Sequence, residues 1–218
     1  MYIKLLFCLT ILSCNGPNKE GVSALNVNKK EPSETQISKS DLKTPSIVEV
    51  NMGFLVLKNT YNHEDKLTIY NGNRTIWKNF IFNDNFNDKA LNPYAIKAEN
   101  TLLIFKYLGE ENGFYKIVVS DNPNIIKYVK DSDAHFKIQT IEEHILAVFS
   151  VEFDEKSNPL RSDSSEKSKK YSIDKNSFYY PVKISGNWLM VRDDNDKDFW
   201  IKWCDDNGNL IINLFYDA

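Results

Sequence analysis

Short apolar segments alternate with polar turns along most of the chain, and this pattern predicts a protein made mainly of β-strands. The apolar segments are rich in Ile, Val, Phe and Tyr, which favour pleated, half-buried strands. The strands predicted in the first half are 54–58, 66–70, 75–82, 101–108, 114–120 and 125–129. Turn-forming residues separate them, as at Asn71-Gly72-Asn73. Residues 47–153 are therefore expected to form a β-rich domain.

One segment has the apolar repeat of a helix instead. Within residues 141–149, apolar side chains recur at helical spacing at Ile141, Ile145, Val148 and Phe149. Thr140 precedes them and can accept hydrogen bonds from the free N–H groups of the first turn. Glu142 and Glu143 bring negative charge to the positive end of the helix dipole. We therefore expect one short helix that begins after Thr140.

A second polar stretch, residues 154–170, interrupts the strand pattern. It combines serines with Lys, Asp and Glu, and it is too polar to form a core. This composition predicts a linker or a long exposed loop. Beyond it the strand pattern returns in residues 178–184, 188–192, 199–203 and 210–215. Residues 171–218 are therefore predicted to form a second, smaller β module.

The N-terminal pattern differs from the rest of the chain. Residues 5–12 form an apolar run that follows Lys4, and the sequence becomes polar directly after Cys14. As a helix the run would be roughly 13 Å long, whereas the hydrocarbon core of a bilayer is about 30 Å thick. The run is too short to span a membrane, but it has the length of the apolar part of a secretory signal peptide. Residues 1–13 are therefore predicted to be a signal peptide.

The end of this run, Ile11-Leu12-Ser13-Cys14, resembles the lipobox of bacterial lipoproteins. The resemblance implies cleavage after Ser13 and a diacylglycerol thioether on Cys14, which makes Cys14 the expected lipidation site. Two or more acyl chains give stable attachment to a membrane, whereas one chain holds only reversibly. The membrane is thus an expected partner, through the lipid on Cys14. The alternative is an ordinary signal peptide in which the cysteine is incidental.

Residues 14–46 are predicted to be the lipidated cysteine followed by a disordered tether. They lack aromatic residues and are made mainly of Asn, Lys, Glu, Ser, Thr and Pro, so they bury too little apolar surface to offset the entropy of ordering. Asn15 follows Cys14 where some bacteria use an aspartate for retention at the inner membrane. The expected location is therefore the bacterial cell envelope, at the outer membrane and facing the periplasm.

Charge and cysteine content narrow the possibilities further. The formal net charge is −3, and no strongly basic segment is visible, so nucleic acid is not an expected partner. If Cys8 leaves with the signal peptide and Cys14 carries lipid, Cys204 remains alone and no intramolecular disulfide is possible. Cys204 lies beside Trp203 with no histidine nearby in sequence, so we interpret it as a half-buried strand residue and not as a nucleophile.

The C-terminal module contains a turn Gly186-Asn187-Trp188, a strand that ends in Val191-Arg192, and a partner strand Phe199-Trp200-Ile201. This arrangement resembles bacterial SH3-like domains, although Phe199 stands where those domains usually have glycine. Residues 113–129 resemble the same module less closely. The resemblance implies a mainly β protein of one or more small SH3-like barrels with one short helix, after the disordered tether.

The same resemblance implies a ligand-binding role. Bacterial SH3-like modules often bind peptides or cell-wall material through exposed aromatic side chains. The candidate ligand-binding residues are Tyr179, Tyr180, Trp188 and Trp200. The alternative is that most of these rings are core residues.

Motifs for catalysis and metal binding are missing from the sequence. The three histidines are isolated from one another, and no Gly-x-Ser-x-Gly elbow or glycine-rich phosphate loop occurs. Asp194, Asp196 and Asp198 alternate as in a calcium loop, but the required glycine and glutamate do not follow, which favours a solvated hairpin tip. The sequence therefore predicts no catalytic residue, no metal and no cofactor.

Together these observations predict a membrane-anchored, non-catalytic envelope lipoprotein that acts as a binding or interaction module. Its ligand would be a cell-wall peptide from peptidoglycan, a glycan or an envelope protein. Two alternatives remain open. One is a periplasmic inhibitor or immunity-type lipoprotein, and the other is a hydrolase whose carboxylate site is not visible in the sequence.

Overall fold

The strands follow one another in two groups along the chain, and no sheet contains strands from both groups. A computed structural model describes residues 51–121 and 123–217. The signal peptide, the lipidation site Cys14 and the tether, which were predicted within residues 1–46, lie outside the described residues.

The first group forms an antiparallel sheet that has eight strands among the described residues. These are β1 Gly53–Leu57, β2 Lys66–Tyr70, β3 Ile76–Ile81, β4 Ala95–Lys97, β5 Leu102–Glu110, β6 Phe114–Asp121, β7 Asn124–Lys130 and β8 Phe136–Gln139. The order across the sheet is β3-β2-β7-β6-β5-β1-β8, and β4 pairs with β5 beside this path. A 3₁₀ turn, Ala98–Asn100, connects β4 to β5.

The second group follows a short helix, α1 Ile141–Ile145. Its strands are β9 Ser150–Glu152, β10 Leu160–Arg161, β11 Lys170–Tyr171, β12 Tyr180–Ser185, β13 Trp188–Arg192, β14 Asp198–Lys202 and β15 Asn213–Phe215. Five of them form a sheet in the order β11-β10-β14-β13-β12, and β15 pairs with β9 in a separate two-stranded sheet.

Each group has its own cluster of buried apolar side chains. Leu55, Phe105 and Ile117 are fully buried in the cluster of the first sheet. Leu189 and Ile201 are fully buried in the cluster of the second sheet. They lie on the same face of that sheet, because side chains alternate between the two faces of a strand. The side chains at the intervening positions of β13 and β14 point to the other face of the five-stranded sheet.

The predicted fold class is confirmed as mainly β with one short helix in the part of the chain that the structure describes. Strands β2 and β13 have the predicted bounds. The described strands do not close into a barrel, since β11 and β12 are edge strands of an open five-stranded sheet. The small SH3-like barrel that the resemblance implied for residues 171–218 is therefore corrected to an open sheet.

The helix begins as predicted but ends earlier. The side chain of Thr140 accepts a hydrogen bond from the N–H of Glu143 at 3.1 Å, and the Glu143 carboxylate accepts one from the N–H of Thr140 at 3.0 Å, which forms a capping box. The helix ends at Ile145, not at Phe149. The backbone N–H of Phe149 instead donates to the carbonyl of Phe215, and this bond leads the chain into β9.

The segment 154–170, predicted as a linker or loop, contributes β10 and the first residue of β11. Asn158, Leu160 and Arg161 are buried. The side chain of Asn158 bonds both backbone groups of Lys202, with the N–H of Lys202 donating to Oδ1 at 2.9 Å and Nδ2 donating to the carbonyl at 2.7 Å. Asn158 is buried because its amide satisfies backbone groups of strand β14, and Arg161 is buried because its guanidinium satisfies carbonyl groups of the loop that follows it. No helix in residues 51–121 and 123–217 has the length and apolarity to cross a bilayer.

Candidate functional site

A concave surface in the second half of the chain forms a cleft of about 790 Å³. One wall is formed by residues 150–156, and the other by residues 173–179. Phe215 of β15 completes the lining. The volume falls within the range of about 300–1,000 Å³ that is typical of ligand pockets.

The first wall, which contains strand β9, is held by backbone hydrogen bonds on both sides of the strand. Before the strand, the N–H of Phe149 donates to the carbonyl of Phe215 at 2.9 Å. Within it, the N–H of Val151 donates to the carbonyl of Tyr179 at 2.9 Å. These long-range bonds bring Phe215 and Tyr179, which are far apart in sequence, to one cleft.

Tyr179 organises the second wall. Only 5% of this residue is exposed, and its ring packs against Phe153 with the centroids 5.3 Å apart. Its hydroxyl oxygen accepts a hydrogen bond from the N–H of Asp174 at 2.9 Å. Burial raises the pKa of the Tyr179 hydroxyl, so the group stays protonated and holds the loop by hydrogen bonding. Tyr179 is therefore a structural element of the cleft wall.

Asp194, in the hairpin between β13 and β14, fastens the end of the same wall. Its Oδ2 accepts a hydrogen bond from the N–H of Phe178 at 2.9 Å, and its Oδ1 accepts one from the hydroxyl of Tyr180 at 2.8 Å. These two hydrogen bonds lower the pKa of the Asp194 carboxyl, and the bond from Tyr180 has the larger effect. The hairpin tip that was predicted to be merely solvated thus positions residues of the cleft.

Aromatic side chains form the lip of the cleft. The ring of Phe149 contacts those of Phe178 and Tyr180, with centroid distances of 5.2 and 5.4 Å. Phe178 is nevertheless 44% exposed, and Phe215 is 43% exposed. Large apolar side chains that are exposed next to a concave surface are typical of interaction sites.

The rim of the cleft carries more negative than positive charge. Its charged residues are Glu152, Asp154, Glu155, Asp174, Lys156 and Lys175. The carboxyl of Asp154 has a lowered pKa because it accepts hydrogen bonds from the Ser157 hydroxyl and from the backbone N–H groups of Lys156 and Ser157. It is therefore charged at neutral pH, and the cleft favours a ligand with positive charge.

The four aromatic residues that the sequence nominated lie in two different parts of the structure. Tyr179 lines the cleft, and Tyr180 packs at its lip. Trp188 and Trp200 lie on the outer face of the five-stranded sheet, since Trp188 pairs with Lys202 and Trp200 pairs with Met190. Trp200 is only 9% exposed. The two tryptophans do not line the cleft.

A polar loop, residues 162–169, lies beside this outer face. The guanidinium of Arg161 donates to the carbonyl of Glu166 at 2.6 Å and to its carboxylate at 2.7 Å. The other carboxylate oxygen of Glu166 pairs with Lys202 at 2.6 Å. Arg161 and Lys202 both lie 5.8 Å from the ring of Trp188. The loop therefore surrounds Trp188 with an ion-pair network.

Sequence reasoning missed Phe153, Phe178, Phe215 and Asp194 as residues of a site. Phe178 did carry a local signal, because it follows the polar residues Asn176 and Ser177 and precedes two of the nominated tyrosines. The contribution of Phe215 depends on pairing between β9 and β15. Such a pairing joins distant segments and has no local signature.

Titratable groups elsewhere do not assemble into a metal centre. In the described parts of the chain, no group of three or more His, Cys, Asp or Glu side chains is placed to hold a metal ion. Cys204 is buried, and burial raises the pKa of its thiol. A thiol with a raised pKa is mostly protonated at neutral pH and is therefore a weak nucleophile.

No protein-family model matches this chain, and neither a curated protein nor a solved structure matches it.

Proposed function

We propose that this protein is a non-catalytic binding module that holds a peptide segment with basic and apolar side chains in the cleft. The observation that carries the proposal is the combination of exposed Phe178 and Phe215 with an acidic rim. Apolar side chains of the ligand would cover the two rings, and lysine or arginine side chains would lie near the carboxylates. Burial of the apolar surface supplies affinity, while charge complementarity supplies orientation and speeds association.

We further propose that the module is displayed in the bacterial cell envelope. The apolar run 5–12 and the lipobox-like sequence ending in Cys14 support export and lipid attachment. In that setting, peptides of the cell wall and segments of envelope proteins are ligands with suitable chemistry.

The direct test is a binding titration with a defined probe. The full chain, carrying Cys14→Ser to prevent lipidation, is titrated with a fluorescent peptide of alternating Lys and Leu. A peptide with Glu in place of Lys serves as the charge control. We expect binding of the Lys peptide only, with weaker affinity at about 0.5 M salt because the salt screens the rim. Equal binding of both peptides, or of neither, would contradict the proposal.

Two pairs of variants locate the site. Phe178→Ser with Phe215→Ser removes the exposed rings, and we expect at least a tenfold weaker affinity because two apolar contacts are lost. Ile76→Ser with Ile138→Ser is the matched control, because these apolar residues are also exposed but belong to the first sheet. Retention of the chain on purified peptidoglycan, lost in the phenylalanine pair, would identify the cell wall as the source of the ligand.

A further inference from the structure

A second concave surface lies on the eight-stranded sheet, where β2 and β7 separate. The two strands are paired only at Tyr70 and Tyr128. Beyond this pair, the first half of β2 and the segment 130–135 diverge and enclose a groove of about 290 Å³. Its lining is polar except for Ala134 and the Tyr70 ring, and consists of Lys66, Thr68, Tyr70, Lys130, Ser132, Asp133, Ala134 and His135. A polar lining of this kind favours a hydrophilic ligand.

Two lysines dominate the charge of the groove. Lys66 and Lys130 form no ion pair with any described residue. Asp133 also lines the groove, but its Oδ1 accepts hydrogen bonds from the backbone N–H of His135 and lies 2.8 Å from Nδ1 of that ring. The side chain of Asp133 is only 15% exposed. His135 bridges the Asp133 carboxylate to that of Asp65, which lies 3.3 Å from Nε2, so both carboxylates are held by the histidine. The two lysine ammonium groups have no carboxylate partner among the described residues and remain available to an anion.

Aromatic rings and cations pack together beside the groove, and the Arg74 guanidinium among them is paired with the Glu111 carboxylate at 3.1 Å. The ring of Tyr70 meets that of Phe114 edge to face at 5.3 Å, and the Lys130 ammonium lies 5.6 Å from the centroid of the Tyr70 ring. The Arg74 guanidinium lies over Tyr128 at 4.0 Å and over Phe114 at 4.6 Å. Stacked rings and cations of this kind hold each other in place. The Tyr70 ring therefore favours a position of the Lys130 ammonium beside the groove.

We infer that this groove binds an acidic saccharide, meaning a sugar ring that carries a carboxylate. The carboxylate would lie between Lys66 and Lys130, where it gains two charge-assisted hydrogen bonds. The hydroxyls of Thr68 and Ser132 can donate to and accept from the hydroxyls of the sugar. The Tyr70 ring supplies an apolar edge for the C–H groups of the sugar ring. This site is independent of the cleft and of the function proposed for it.

Isothermal titration of the full chain, again with Cys14→Ser, tests the inference. The probes are trigalacturonate, neutral maltotriose, citrate and vesicles that contain phosphatidylglycerol. We expect trigalacturonate to bind and maltotriose not to bind. Lys66→Gln with Lys130→Gln should weaken the binding of trigalacturonate at least tenfold. Lys89→Gln, a change at an exposed lysine outside the groove, should leave it unchanged.

Four results would overturn the inference. The first is no binding of trigalacturonate, and the second is an unchanged affinity in the Lys66 and Lys130 double variant. The third is equal affinity for citrate, which would mean that any anion suffices. The fourth is binding to the vesicles alone, which would make the groove part of a membrane-facing surface. The variants Phe178→Ser and Phe215→Ser must not change trigalacturonate binding, so failure here is distinguishable from failure of the cleft.

Discussion

His144 and Tyr216 join the two halves of the described fold through a partly buried hydrogen bond, with Nε2 of His144 2.9 Å from the hydroxyl oxygen of Tyr216. The opposite ring nitrogen, Nδ1, lies 2.9 Å from Oε1 of Gln139. The imidazole also packs on Phe54 of β1, with the ring centroids 4.2 Å apart. His144 is only 2% exposed. A residue from the short helix thus links the first sheet to the segment after β15.

This environment predicts a loss of stability in mild acid. The pKa of His144 is lowered from 6.5 to about 4, mainly by burial and to a smaller extent by the positive charge of Lys137. The unfolded chain therefore takes up a proton below about pH 6.5, whereas the folded chain does so only near pH 4. The contribution of His144 to stability is complete above pH 6.5 and is lost as the pH falls toward 4. Between pH 7.5 and 4.5 the loss should be roughly 2–3 kcal/mol.

Urea denaturation at pH 7.5 and 4.5 measures this loss. Carboxylates also contribute to acid destabilisation, so the informative quantity is the difference between the native chain and His144→Gln, which cannot take up the proton. We expect a smaller drop in unfolding free energy for His144→Gln. The same drop in both chains would show that His144 titrates normally in the folded state.

Removing the Asn158 side chain should weaken the end of β14, the middle strand of the five-stranded sheet. Its amide satisfies both the N–H and the carbonyl of Lys202 in β14. Asn158→Ala leaves both groups without these partners in a buried position, at a cost of roughly 1–3 kcal/mol of unfolding free energy. Asn195→Ala, at an exposed turn, should change the unfolding free energy by less than about 0.5 kcal/mol. Chemical denaturation of both variants checks the prediction, which fails if the two costs are equal.

A side chain at position 53 should disturb the pairing of β1 with β8. Gly53 has φ of 147°, and a Cβ atom there would lie 2.3 Å from the carbonyl oxygen of Gln139. Gly53→Ala must therefore displace backbone as well as adopt a strained φ, and we expect a cost of about 2 kcal/mol or more. Gly186 has φ of 55° with open space around its Cβ position, so Gly186→Ala should cost only roughly 1–2 kcal/mol. Thermal unfolding ranks the two variants, and a greater loss for Gly186→Ala would contradict this account.

Arg161 should determine how tightly the loop 162–169 is held against the sheet. Arg161→Gln removes charge-assisted hydrogen bonds to Glu166, each of which contributes roughly 1.5–3 kcal/mol. Opening of the loop should become at least about tenfold more frequent, and trypsin should cleave after Lys167 and Lys169 correspondingly faster. The control is Arg192→Gln, since Arg192 pairs with Asp198 on β14 and not with the loop. Equal cleavage rates in the native chain and Arg161→Gln would contradict the prediction.

Much of the fold could be predicted because its signals are local. Alternation of apolar side chains located β2 and β13, and the capping residue Thr140 located the start of α1. The strands that prediction missed are short, as β9, β10 and β11 show. A strand of two or three residues has too few positions to show alternation, and it exists only because a distant partner pairs with it.

The candidate site was predicted less well for a related reason. The sequence nominated ligand-binding residues because they are aromatic, and the structure places two of them, Tyr179 and Tyr180, at the cleft. The sequence could not distinguish the buried Trp200 from the exposed Phe178, because both are aromatic residues in strand-like surroundings. The side of a sheet that becomes covered is decided by what packs on it.

The sequence by itself determined the mainly β class, the turns and the capped helix, because each depends on neighbouring residues. It also carries the lipobox-like segment ending in Cys14, whose proposed role as a lipidation signal depends on the local sequence and not on the folded domain. Only the tertiary structure decided that β15 pairs with β9, that Asp194 accepts a hydrogen bond from Phe178, and that Lys66 and Lys130 line one groove. These relationships join segments that are far apart in the chain, and the packing of whole sheets selects them.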